Sequence, residues 1–131
     1  MSTAKAWRTY PQTYRLEAAR CTKCNKVFFP PRLICNQCHG RDFERFNMKR
    51  TGTVVTHTVI RTPSDAYSGQ APFAVGIIQM DDGPRLTTEI ADVEFDEIAI
   101  GMPVKLEFRR QYCDGDAGVI HYGHKAVPLR P

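Results

Sequence analysis

The sequence has no run approaching the roughly 18 consecutive apolar residues that a membrane-spanning helix needs. Its opening residues, Met1 to Arg8, lack the apolar core of a secretory signal. Together these absences point to a protein of the cytoplasm, where thiols stay reduced. Internal repeats and low-complexity tracts are missing too. So are a phosphate-cradling Gly-rich loop, a nucleophile elbow and a catalytic carboxylate pair, so a self-sufficient enzyme is not expected. What remains is 131 residues with 42% hydrophobic and 24% charged side chains, which excludes wholesale disorder. That length suits one compact domain, or a small domain with an appendage.

Charge divides the chain near residue 50. Residues 1–50 hold 11 Lys+Arg against 3 Asp+Glu, a balance of +8, whereas residues 51–131 hold 7 against 11, a balance of −4. Cysteine divides it at the same place, with four of the five cysteines lying between Cys21 and Cys38.

These four form Cys21-x2-Cys24-x10-Cys35-x2-Cys38. A tight two-residue turn places two sulfurs on one side of an ion, and two such knuckles complete a tetrahedral shell of soft ligands. In a reducing compartment this spacing favours one zinc ion per chain over disulfides. Four cysteines leave no open coordination position, so the ion is expected to be architectural and to supply much of the folding free energy of a segment too small to fold alone. His39 follows Cys38 as a knuckle or solvent-facing residue. Cys113 stands alone beside a turn and reads as a bystander thiol.

Around the knuckles the pattern predicts a mainly β protein. Trp7 to Arg20 reads as one or two short helices, with Tyr10, Tyr14 and Ala18 on one face and Pro11 in a first turn. That face must lie either on the protein's own body or on a partner. Phe43 to Phe46 is a short strand. Five more are expected at Thr53–Ile60, Phe73–Met80, Arg85–Ala91, Pro103–Gln111 and Val119–Val127, with a helical turn possible between Asp92 and Gly101. In the fourth of these, Val104, Leu106 and Phe108 alternate with Lys105, Glu107 and Arg109. His121 and His124, three apart, face opposite sides of a regular strand, which argues against a shared metal site. Five strands in this span fit a closed OB-type barrel, with a small sandwich as the competing architecture. The expected organisation is therefore a helical segment over residues 1–20, a zinc ribbon over 21–48 and a five-stranded OB-fold barrel over 49–131.

The run Tyr14-Arg-Leu-Glu-Ala-Ala-Arg-Cys-Thr-Lys-Cys24 and the linker Phe28-Phe-Pro-Pro-Arg-Leu-Ile-Cys35 resemble the acyl-CoA-associated family with a rubredoxin-like zinc ribbon and an OB-fold. Gly52-Thr-Val-Val-Thr56, Ala71-Pro-Phe-Ala-Val-Gly76, Gly101-Met-Pro-Val104 and Ile120-His-Tyr-Gly123 continue the likeness over nearly the whole chain. It is similar above all to the archaeal members that accompany acetoacetyl-CoA thiolase and hydroxymethylglutaryl-CoA synthase. The resemblance implies a non-catalytic scaffold subunit of a hetero-oligomer that bridges these two enzymes. Such a subunit helps pass acetoacetyl-CoA between them early in the mevalonate pathway of isoprenoid synthesis. Asn25 and His39 depart from the pattern, standing where such knuckles often carry Gly.

The basic half suits either the phosphates of CoA or an acidic enzyme surface. Four thiolates and one Zn²⁺ together lower its charge by two, to about +6. The loop from Arg61 to Pro72 is long for a hairpin connection. One reading makes it the border of a CoA channel, with Arg61 as a phosphate partner and Tyr67 or Phe73 as apolar wall. The other makes it a solvated loop whose aromatics pack on the barrel. The alternative function is a single-stranded nucleic-acid-binding module, for which a barrel needs stacking aromatics among Lys and Arg. The acidic balance of this barrel, with Asp92, Glu94, Asp96 and Glu97 clustered, weighs against it.

Overall fold

The computed structural model describes residues 2–130. One helix, α1 (Thr3–Arg15), opens the chain. Ser2 caps it by accepting a hydrogen bond from the Lys5 backbone N–H at 3.3 Å. Leu16 ends it in the left-handed conformation (φ 53°, ψ 44°), and its N–H reaches back to the Pro11 carbonyl. The helix thus starts before Trp7 and ends well before Arg20, and Pro11 sits in its interior rather than its first turn. The reversal at Leu16 turns the chain into strand β1 (Glu17–Cys21), where strand pairing overrides the helical propensity of Ala18 and Ala19.

β1 is the middle of a three-stranded antiparallel sheet, flanked by β2 (Val27–Phe28) and β3 (Phe43–Asn47). Ala18 pairs with Phe46 and Ala19 with both Arg45 and Phe28. The ribbon's two knuckles hang from the far end of this sheet.

The remaining strands are β4 (Thr51–Ile60), β5 (Phe73–Met80), β6 (Arg85–Ile90), β7 (Pro103–Cys113) and β8 (Ile120–Pro128). They close a barrel in the order β4-β5-β6-β8-β7. The pairs are antiparallel except β6 with β8, which meet in parallel at Ile90 and Ala126. This is the five-stranded Greek-key closure of an OB-fold, held at its two seams by the short β4–β7 pairing at Thr51–Thr53 and the single β6–β8 pair. Gly52 makes it possible. β4 there runs between β5 and β7, and a Cβ would lie 2.6 Å from the Gln79 carbonyl oxygen. Short 3-10 turns occupy the two loops, at Asp65–Gln70 and Phe95–Glu97.

Val54, Ile78, Met80, Val104 and Leu106 fill the barrel and are almost wholly buried. Leu16, Ala18 and Met48 belong to the same core, so the base of the ribbon is welded to the barrel. A second, smaller cluster of Cys21, Phe28 and Cys35 surrounds the knuckles. Phe108, expected on the same face as Val104 and Leu106, is instead 43% exposed, because β7 runs on past the barrel and lays this ring against Tyr14 of α1.

Candidate metal centre and barrel pocket

The sulfur atoms of Cys21, Cys24, Cys35 and Cys38 all lie within 4.8 Å of one another. Two of the six separations are 3.4 Å (Cys21 to Cys38) and 3.5 Å (Cys24 to Cys35). A tetrahedron with zinc–sulfur bonds of about 2.3 Å has edges of about 3.8 Å, so the four side chains fit the ion. Each knuckle closes with a backbone bond, Asn25 N–H to the Cys21 carbonyl (2.9 Å) and His39 N–H to the Cys35 carbonyl (3.1 Å). Asn25 (φ 61°) and His39 (φ 58°) both hold the left-handed conformation that Gly usually supplies at this place. The His39 side chain is exposed to solvent.

Backbone N–H groups aim at the sulfurs. Those of Cys38 and Gln37 outweigh burial and hold the Cys35 thiol down to about 6, and those of Cys24 and Lys23 lower Cys21. Against the Lys26 N–H, burial and the neighbouring thiols push Cys24 up to about 12. A divalent cation reverses that last effect, because a coordinating thiol is deprotonated outright. Zinc held here would lock two knuckles and the ribbon sheet into one unit. All four tetrahedral positions are taken by protein, so the chemistry it supplies is structural.

A second feature lies on the barrel, where a cavity of about 520 Å³ opens beneath the loop between β4 and β5. Tyr67 and Phe73 form part of its wall, with ring centroids 5.7 Å apart. Burial, with Tyr112 and Glu89 nearby, raises the Tyr67 hydroxyl above its ordinary value. Arg61 is exposed and is not part of that wall. The structure thus brings Tyr67 and Phe73 together and leaves Arg61 apart.

Sequence reasoning missed Glu89, Gln111 and His124, which also line the cavity. Glu89 is paired with Lys125 at 3.0 Å, both side chains being nearly buried. The His124 carbonyl accepts from Thr88 Oγ1 (2.9 Å) and Gln111 Nε2 (3.1 Å), while its own Nε2 is buried without a partner among the described residues. Burial, then the Arg50 charge, lowers the His124 pKa. His121 lies elsewhere, bonded through Nε2 to Asp114 (2.7 Å) and stacked on Tyr112. Cys113 accepts a bond from Arg110 at 2.7 Å. Alternation in β6 sets Glu89 on the face opposite Leu86, Thr88 and Ile90, and the partner that neutralises it is 36 residues away in sequence, so no local pattern marked it.

A rubredoxin-like four-thiolate ribbon rooted in the core of an OB barrel defines the structural class. Residues 8–44 match the rubredoxin-like zinc ribbon domain of ChsH2, and residues 47–109 match the ChsH2 C-terminal OB-fold domain. A DUF35 domain-containing scaffold protein of Methanothermobacter thermautotrophicus is 38% identical over 127 residues, covering 96% of each chain. The chain belongs to this DUF35 scaffold protein family.

More distant relatives are 29% identical. One is a probable enoyl-CoA hydratase alpha subunit of Thermomonospora curvata, matched over 78% of this chain and 32% of that protein. Another is the benzoylsuccinyl-CoA thiolase subunit BbsA of Thauera aromatica, matched over 57% and 51%. Among solved structures, the Ltp2-ChsH2(DUF35) aldolase aligns with a TM-score of 0.72 at 26% identity, covering 98% of this chain and 96% of that one. No helix among the described residues is long and apolar enough to cross a membrane.

Proposed function

We propose that this protein is a non-catalytic scaffold subunit of an acyl-CoA enzyme complex, bridging acetoacetyl-CoA thiolase and hydroxymethylglutaryl-CoA synthase and aiding transfer of acetoacetyl-CoA in the mevalonate pathway. The observation that carries the reading is the end-to-end match to an archaeal scaffold protein, with coverage of 96% on both sides. Relatives that are subunits of a thiolase and an enoyl-CoA hydratase support an acyl-CoA partner. The closed metal centre supports an architectural role, since a saturated four-thiolate site cannot activate a substrate.

In this reading Cys21, Cys24, Cys35 and Cys38 hold the zinc, and the barrel cavity contributes to a CoA channel. Tyr67 and Phe73 offer apolar wall to the pantetheine arm. Arg61, outside the cavity, meets a phosphate at its mouth. The test is co-expression with the thiolase and synthase of the same organism, followed by size-exclusion chromatography. The three proteins are expected to elute as one species with zinc bound. A chain that elutes alone, or retains only nucleic acid in a strongly salt-dependent manner, overturns the scaffold reading.

A further inference from the structure

Helix α1 buries none of its residues completely, and it carries Lys5, Arg8 and Arg15 but no carboxylate. None of these three cations forms an ion pair among the described residues. Along the same helix runs an aromatic row. Trp7 to Tyr10 and Tyr10 to Tyr14 have ring centroids 5.5 and 6.1 Å apart. The row then crosses to the barrel, Tyr14 to Phe108 at 5.1 Å and Phe108 to Tyr122 at 5.6 Å. Trp7 is 75% exposed, and Tyr14, Phe108 and Tyr122 are each at least 40% exposed. Beside the row a cleft of about 310 Å³ separates α1 from β8, lined by Thr9, Thr13, Tyr14, Ile120 and Tyr122.

We propose that this aromatic row and cleft form a docking surface for a protein subunit that presents an apolar side chain ringed by carboxylates. The inference rests on the scaffold reading above and names the partner as the thiolase subunit of that complex, because a relative of this chain is itself the subunit of a thiolase. Three observations support it. Trp and Tyr are the side chains that most often dominate protein interfaces, and here each ring already packs against the next, so little rotamer freedom is lost on binding. An exposed contiguous apolar patch rimmed by polar groups marks an interaction site. The unpaired cations on α1 complement an acidic rim, in contrast to the acidic barrel behind them.

A membrane surface fits less well. The helix has only 13 residues, and Tyr14 packs edge-to-face on the barrel ring of Phe108, so the aromatic side cannot lie flat in a lipid interface.

The experiment titrates the full zinc-loaded chain with the purified acetoacetyl-CoA thiolase of the same organism, using wild type, Trp7→Ala, Arg8→Glu and Leu33→Ser. Leu33 is 81% exposed on the ribbon, away from the row, and serves as the control. Trp7→Ala is expected to weaken binding by about 30-fold or more. Arg8→Glu is expected to weaken it by about tenfold at low salt and much less at ~0.5 M salt. Both variants keep wild-type zinc content and Tm, because both side chains are exposed. Wild-type affinity in both variants overturns the docking surface and leaves the scaffold reading intact. Absence of thiolase binding by the wild-type chain overturns both. Binding to phosphatidylserine vesicles that disappears in the two variants, with thiolase binding unchanged, assigns the surface to membrane and also overturns the proposal.

Discussion

Replacing Gly40 by Ala tests whether the metal centre is closed as tightly as the sulfur positions indicate. A Cβ built on Gly40 lies 3.3 Å from Cys38 Sγ, 3.3 Å from Lys23 Cδ and 3.7 Å from Cys21 Sγ. The lysine can swing away. The sulfurs cannot, once a tetrahedron with edges of about 3.8 Å holds them. Overpacking a site that cannot relax costs about 1–3 kcal/mol. For a ribbon tip whose folding free energy comes from the metal, as expected of so small a segment, this native-state cost appears in the metal dissociation constant rather than in the metal-free chain. The expected effect is a zinc affinity weaker by about 5- to 150-fold. Competition against a chromophoric chelator measures it. Gly69→Ala is the control, since nothing lies within 4 Å of a Cβ there. Unchanged zinc affinity in Gly40→Ala, within about twofold of the control, would refute the packing argument.

Metal analysis of the purified protein should find one zinc per chain, and Cys21→Ser or Cys38→Ser should lose it together with the ordered amide signals of residues 20–40, read by NMR or hydrogen exchange; less than about half an equivalent of zinc in fresh wild-type protein counts against the site. The pH dependence of stability should carry a His124 component. Its folded pKa is lowered, first by burial and then by Arg50, so as pH falls below the ordinary 6.5 the unfolded chain takes up a proton that the folded chain refuses. Stability is therefore present above that pH and declines below it. Denaturant titrations between about pH 7 and 5 check this, with His124→Gln expected to flatten the profile; an equal slope in the variant removes His124 as its source.

The four-cysteine spacing and the strand alternation were legible without coordinates because both are local. A two-residue turn between cysteines dictates a knuckle whatever surrounds it, and alternation with period two dictates which side of a strand is buried. Phe73–Met80 stands at the bounds its apolar run drew, whereas the burial of every second residue in it comes from the barrel. The boundary after Arg15 was not legible. Glu17-Ala-Ala-Arg favours a helix by propensity, and only pairing with β3 and burial of Ala18 and Ala19 make it a strand.

The same division holds for function. Spacing and family likeness carried the metal ligands and the scaffold class. Which side chains share a cavity is decided by barrel closure, which joins Glu89 to Lys125 across the β6–β8 seam and sets Tyr67 against Phe73 while leaving Arg61 outside. The aromatic row is likewise a product of tertiary structure. Tyr10 and Tyr14 are visible as one helical face in the sequence, with Ala18 expected beside them, but Ala18 lies in β1, and Phe108 and Tyr122 join the row only because β7 overshoots the barrel beneath α1. Local patterns encode elements and ligand geometry, whereas contacts between residues about 100 positions apart arise from how the core closes.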